Sequence, residues 1–268
     1  MNTSSKTPGP RIVVIDLDGT LLDSAKCVPA ANVRAVEALK ALPGMSVVFA
    51  TARPPRATLP LLGGLERGAH VACYNGAVTL LDGVVVSRIM IPEHAVRTLL
   101  ARMQESFPRL ARGLEHDDEM YSVGHFDRHF PREYRGCLAP SELPVRPTPK
   151  ILIDIPDASL AGPVQALLPE ECCSVLTDHG GLLQVMARDV SKRFAVGRLL
   201  GEQGVAWEEV LCLGDDLNDL PLFEACGTSV AMGNAHPSLK ARATHVTLSN
   251  DEAGVAAALA AHVPGLAC

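Results

Sequence analysis

Asp16-Leu17-Asp18-Gly19-Thr20 follows directly on the apolar run at 12–15. Two carboxylates two residues apart start on the same face of an extended backbone, and the glycine after them permits a sharp turn. Carboxylates this close repel and raise one another's pKa unless a cation lies between them. A third anion, Asp215, ends another apolar run at 210–214. An all-oxygen cluster of this kind suits Mg²⁺, which takes octahedral oxygen ligands and keeps several waters. Lys192 falls in the first turn of an expected helix, where the macrodipole disfavours positive charge by a few tenths up to about 1 kcal/mol. Something anionic should compensate. Thr51, after a third apolar run, offers a hydroxyl and neighbouring backbone N–H groups, the usual way a strand-end loop holds phosphate.

Acidic metal ligands facing a lysine and a threonine describe a phosphoryl site. Asp16 fits a nucleophile that forms an aspartyl-phosphate and so splits one hard displacement into two easier ones. Asp18 fits the acid that protonates the leaving oxygen and the base that later activates water. Mg²⁺ and Lys192 would neutralise the oxygens of the transferred group, the electrostatic part that dominates phosphoryl transfer.

These groups need a scaffold that ends several strands in one place. Short uninterrupted apolar runs at 11–15, 46–50 and 210–214 alternate with helical patterns at 29–42 and 191–203. Such strands, buried on both faces, predict a parallel sheet with helices on each side, an α/β doubly wound, Rossmann-like core. In that architecture ligands bind beyond the carboxyl ends of the strands. Each of the three runs is followed by a polar set: Asp16 to Thr20, Thr51-Ala52-Arg53, and Asp215-Asp216-Leu217-Asn218-Asp219.

The segments DLDGTLLDS, FATAR, SKRFAV and GDDLNDL, in this order, resemble the four motifs of the haloacid dehalogenase-like (HAD) phosphatase superfamily. The tail SVAMGNAHPSLKARATHVTLSNDEAGVAAAL is similar to the Cof-like, type IIB sugar-phosphatase branch. The resemblance implies Asp16 as nucleophile and Asp18 as acid/base. It implies Mg²⁺ held by Asp16, Asp215 and the backbone carbonyl of Asp18. Phosphate contacts fall on the Leu17 backbone, Thr51, Ala52, Lys192 and Asn218, with Asp219 orienting the lysine or the metal waters. The family's Thr-Gly-Arg is Thr51-Ala52-Arg53 in this chain, which narrows the backbone but keeps the N–H donor. Arg53 leaves a central strand end and is a candidate substrate contact. Asp216 either touches a metal water or caps the turn that follows.

Residues 82–188 interrupt the sheet pattern and read as an inserted, smaller α/β cap domain, between core segments 11–81 and 189–268. They include the strand-like stretch GVVVSRIMI at 83–91. His125 and His129 stand at i and i+4 within HFDRHFPREYR, but Pro131 breaks the pattern, so a solvated polar loop is expected. Arg128, Arg132 and Arg135 either contact an anionic substrate or, as the favoured reading, offset Glu115, Asp117, Asp118 and Glu119 across a hairpin.

The chain has 268 residues, 47% hydrophobic and 20% charged, and this composition places it among ordinary globular proteins. A net charge of -6 gives no attraction to nucleic acid or an anionic membrane. No segment reaches the about 18 uninterrupted apolar residues of a membrane span, and MNTSSKTPGP lacks the apolar core of a signal peptide. A cytoplasmic protein with a loose N-terminus at 1–10 is expected. The eight cysteines contain no CxxC pair and read as mainly reduced core residues, Cys73 and Cys212 among them. The leading expectation is a Mg²⁺-dependent phosphatase acting on a small phosphorylated metabolite, such as a sugar phosphate or pyridoxal phosphate. A phosphosugar mutase or phosphotransferase on the same core, and a catalytically silent phosphate-binding module, are the alternatives. The sequence sets no oligomeric state.

Overall fold

The computed structural model describes residues 9–130 and 135–266, the side chains of 135–137 excepted. Residues 1–8 of the expected loose N-terminus, and Arg132, lie outside the described residues. Along the chain come β1 (Ile12–Asp16), α1 (Ala30–Lys40), β2 (Ser46–Ala50), α2 (Pro55–Leu62), β3 (His70–Cys73), β4 (Val78–Leu81) and β5 (Val84–Arg88). Next are α3 (Glu93–Ser106), β6 (Arg112–His116), β7 (Glu119–Val123), β8 (Arg135–Cys137), β9 (Ile151–Asp154), α4 (Ala161–Gln165), β10 (Cys172–Thr177) and β11 (Leu182–Ala187). The chain closes with α5 (Lys192–Gln203), β12 (Val210–Gly214), α6 (Leu220–Phe223), β13 (Thr228–Ala231), α7 (Pro237–Lys240), β14 (His245–Val246) and α8 (Gly254–His262). No described helix is long and apolar enough to cross a membrane.

Two compact units result. One runs through Val86 and resumes at Ser191; the other is Ser87–Val190. The first holds an eight-stranded sheet of order β14-β13-β12-β1-β2-β3-β4-β5. Strands β14 to β3 run parallel, and β4 turns antiparallel to β3. Every residue of β1 is buried. Since successive side chains point to opposite faces, both faces of the sheet are covered, as an α/β fold requires. Helix α1 buries Ala35, Val36 and Leu39 and packs on α8. The buried Asn32 amide ties the two together, donating to the Leu21 carbonyl at 3.2 Å and accepting from Ala256 N–H at 3.0 Å.

The order of strands matters for chemistry. From β1 the chain steps to β2 and β3 on one side and later to β12, β13 and β14 on the other. The reversal at β1 is the switch point, where loops on either side diverge and leave a crevice. Registers of Asp16 with Ala50 and of Ile15 with Leu213 bring all three polar strand ends to the same edge.

Two expectations need correction. The stretch at 83–91, expected in the insertion, supplies β5, which belongs to the large sheet. Asp82 and Gly83 both adopt positive φ (+51° and +75°), a hairpin turn that folds the chain back onto β4. Cys212, expected as a reduced thiol, is paired with Cys226 as a disulfide, because β12 and the segment entering β13 lie side by side, with Cα atoms 6.7 Å apart. Cys27, Cys172 and Cys173 are free thiols, and Cys73 is buried.

The second unit carries a six-stranded sheet of order β10-β11-β9-β6-β7-β8. Helix α3 buries Ala95, Val96, Leu99 and Met103 at helical spacing. In the polar stretch after β7, His125, Asp127 and Arg128 are exposed as expected of a solvated loop, but two side chains beside them are drawn inward. Phe126 is fully buried among Ala111, Met120, Leu152 and Leu182. The His129 ring, its side chain 2% exposed, lies between two carboxylates: Nε2 is 2.8 Å from Asp154 and Nδ1 contacts Asp178. Arg128 also binds Asp154, so it does not offset the acidic hairpin; Asp117 pairs instead with Arg146 at 2.9 Å. His129→Phe removes the ring that bonds two carboxylates, Asp154 partly buried, and should cost about 2 kcal/mol through the lost hydrogen bonds. Urea unfolding of the variant beside the native protein checks this.

Candidate active site

Asp16 is the last residue of β1 and only 6% exposed. Lys192 opens α5, behind a Ser191 cap whose hydroxyl accepts from Phe194 N–H, and is 1% exposed. Its ammonium donates to Asp16 Oδ1 at 2.5 Å and to Asp219 Oδ1 at 2.7 Å. The compensating anions expected for a lysine at a helix N-terminus are these two. Burial works against the ammonium, but the two carboxylates outweigh it and hold the lysine pKa above its ordinary value.

Asp215 follows β12, and carboxylate oxygens of Asp16, Asp215 and Asp219 all lie within 4.8 Å of one another. Three acids around one ammonium carry excess negative charge. Burial first, then repulsion from Asp219 and Asp215, push the Asp16 pKa well up against the pull of Lys192. Burial and Asp219 push Asp215 up to about 6, although Thr20 donates to its Oδ1 at 3.0 Å. An oxygen-only set strained by its own charge fits a hard divalent cation. The cluster therefore could hold a metal; Asp219, expected to orient the lysine or the metal waters, stands in it and bonds Lys192. Gly19 makes the approach possible: at φ +72° it turns the chain, and a Cβ there would collide with the Asp215 carboxylate. Asn234 Nδ2 fastens the same turn by donating to the Gly19 carbonyl at 2.8 Å.

The Asp18 side chain points elsewhere. Arg53 grips it with two bonds, Nε to Oδ2 at 2.6 Å and Nη2 to Oδ1 at 2.8 Å, and Lys26 Nζ adds a third at 2.9 Å. Burial raises its pKa, but these two cations outweigh burial and hold Asp18 at about 2. Arg53, expected to face substrate, is thus engaged with Asp18. Lys26 gave no signal in the sequence; it reaches Asp18 because it adopts φ +62° in a loop cinched by Asp23.

At the end of β2, Thr51 N–H donates to the Ala72 carbonyl and its hydroxyl oxygen accepts from Arg53 N–H. A hydroxyl that accepts there keeps its own hydrogen to donate. Leu17 is buried beside Asp16, and its carbonyl accepts from Thr20 and Leu22 N–H. Ala52 follows Thr51 in the same loop. Asp216 caps the turn at 217–219 by accepting from Leu217 N–H at 2.7 Å. Asn218 lies on that turn; its Nδ2 is 3.5 Å from Asn75 Oδ1, and its own Oδ1 is buried without a partner. Asn75 and Asn234 were not singled out by chemistry in the sequence.

The chain is similar to known proteins in sequence and in fold. The description haloacid dehalogenase-like hydrolase matches residues 13–259. A phosphoglycolate phosphatase of Archaeoglobus fulgidus is 30% identical over 253 residues, covering 93% of this chain and 96% of that one. The crystal structure of a haloacid dehalogenase-like hydrolase from Bacteroides thetaiotaomicron superposes with a TM-score of 0.80 at 26% identity, covering 94% of this chain and 99% of that one. A HAD subclass IIB sugar phosphatase shares the fold, with a TM-score of 0.80 at 21% identity over 93% of this chain and 98% of its own. With a match over almost its whole length and these site carboxylates, the chain belongs to the haloacid dehalogenase-like hydrolases, in their Cof-like branch, and is a phosphatase.

Proposed function

We propose that the protein hydrolyses a small phosphorylated metabolite through an aspartyl-phosphate on Asp16. The observation that carries the reading is the cluster of Asp16, Asp215 and Asp219 at adjoining strand ends, with Asp16 and Asp219 bonded to the buried Lys192 ammonium. Phosphoglycolate and sugar-phosphate activities named for similar proteins support a small phosphate monoester, of sugar-phosphate or pyridoxal-phosphate type, as substrate.

In this reading an oxygen of Asp16 attacks phosphorus while the ester oxygen leaves with a proton from Asp18. Water then attacks the same phosphorus, its proton passes to Asp18, and the Asp16 carboxylate is regenerated with release of inorganic phosphate. Asp18 held by Arg53 and Lys26 is ionised, the base form that the second step needs. To act as acid in the first step it must leave that grip. Lys192, with the Thr51 hydroxyl, Ala52 and Leu17 N–H groups and the Asn218 amide, would bind the phosphoryl oxygens. Asp16, Asp215 and the Asp18 carbonyl would hold Mg²⁺, with Asp219 fixing Lys192. When bound, the ion supplies charge neutralisation for the nucleophile and the transferred group. The inserted unit Ser87–Val190 is, in this proposal, the cap that selects the leaving group.

Asp16→Asn should abolish phosphate release from a panel of phosphorylated metabolites while leaving the melting temperature within a few degrees of the native value. Retained release would remove Asp16 from the nucleophile role, and isomerisation of a sugar phosphate without net release would indicate a mutase. Charge repulsion gives a second test. The Asp215 pKa is raised on folding, so its contribution destabilises the metal-free protein as pH rises from the unfolded value, near 4, through about 6. At pH 7.5 without metal, Asp215→Asn should therefore melt a few degrees above the native protein, and Mg²⁺ should stabilise the native protein but not the variant. Differential scanning calorimetry with and without Mg²⁺ reads both effects.

A further inference from the structure

At the end of β3 the chain passes through three consecutive residues of positive φ: Tyr74 (+52°), Asn75 (+57°) and Gly76 (+99°). A left-handed tyrosine costs about 1 kcal/mol or more, and asparagine tolerates the conformation better than most residues. Both side-chain-bearing residues are buried, at 2% and 3% exposure. This run sits on a fourth strand end beside the three already described, so its strain is adjacent to the chemistry.

Its contacts reach three of the four motif segments that would bind phosphate. Tyr74 N–H donates to the Arg53 carbonyl at 3.0 Å and Asn75 N–H to the Thr51 carbonyl at 2.8 Å, which together fix the 51–53 loop from behind. Gly76 lies so close to the start of α5 that a Cβ would meet the Ser191 carbonyl and the Ala195 methyl, the turn that carries Lys192. The Asn75 side chain faces the Asn218 amide at 3.5 Å. Thr51, Lys192 and Asn218 come from three separate elements, and this short turn is packed against all three.

We infer that Tyr74–Gly76 is the turn that positions the phosphate site, with Asn75 the positioning residue for Asn218; the inference rests on the phosphatase reading above. The chemistry of the two amides explains why asparagine stands there. Asn218 Oδ1 is buried without a donor, while its Nδ2 is turned toward Asn75. Asn75 Oδ1 accepts from that Nδ2, and asparagine is among the few side-chain acceptors that tolerate a left-handed backbone. The left-handed backbone keeps this amide aimed across the crevice while its N–H holds Thr51.

Asn75→Gly separates side chain from backbone, since glycine accepts the left-handed conformation without strain. Binding of inorganic phosphate, in the presence of Mg²⁺, is measured by calorimetry for the native protein, Asn75→Gly, Asn218→Ala and the double variant, with melting temperatures alongside. Asn75→Gly should weaken phosphate binding about tenfold with little change in melting temperature, as loss of a residue that orients a ligand contact does. In the Asn218→Ala background it should cause no further loss, because the two act as one unit. Native-like affinity in Asn75→Gly, or an equal loss in both backgrounds, would overturn the inference while the phosphatase reading stands. Absence of phosphate binding by the native protein would overturn that reading and this inference with it.

Discussion

The structure is organised around one buried ammonium. Lys192 is 1% exposed, and a charge so far from water is tolerated only when paired and hydrogen-bonded. Asp16 and Asp219 supply the pair at 2.5 and 2.7 Å, and they come from different elements: the end of β1 and the turn after β12. Asp219 also accepts from the backbone N–H of Asp215, at 3.2 Å, so the lysine, the turn and the acidic cluster are locked as a single object. Because the ammonium offsets only part of the charge of three carboxylates, the cluster retains an electrostatic demand that a divalent cation and a phosphoryl group are suited to meet.

The two aspartates of the first motif sit in opposed environments although one residue separates them. Asp16 is buried among other acids, which pushes its pKa up; Asp18 is half-exposed between Arg53 and Lys26 and held at about 2. Environments that push neighbouring acids apart are how one fold gives two carboxylates different tasks. Arg53 draws Asp18 to its own side, while the turn at Gly19 lies so close to Asp215 that a Cβ there would meet its carboxylate.

The inserted unit follows a different logic. Its sheet is mostly antiparallel, and its stability rests partly on charged groups drawn inward. His129 lies between Asp154 and Asp178, and Arg112 is buried with its guanidinium on the Leu110 carbonyl and the Gln104 side chain at the end of α3. A cation beside a helix C-terminus is favoured by the dipole. Nothing in the polarity of residues 125–130 shows that Phe126 enters a core with Phe130 packed against it while His125 and Asp127 stay exposed.

The sequence by itself determined the α/β core, the placement of Asp16, Thr51 and Asp215 at strand ends, and the anionic partnership awaiting Lys192. Each of these follows from local rules: apolar runs of strand length, glycine after the carboxylates, and a cation at the wrong end of a helix. Only the tertiary structure decided that β5 joins the large sheet, that Cys212 bonds Cys226, that Arg53 and Lys26 grip Asp18, and that Asn75 faces Asn218. Those outcomes depend on backbone conformations at positive φ and on contacts between residues far apart in the chain, such as 75 with 218. Periodicity and composition carry no record of either, because they report which face a residue prefers and not which distant residue will meet it there.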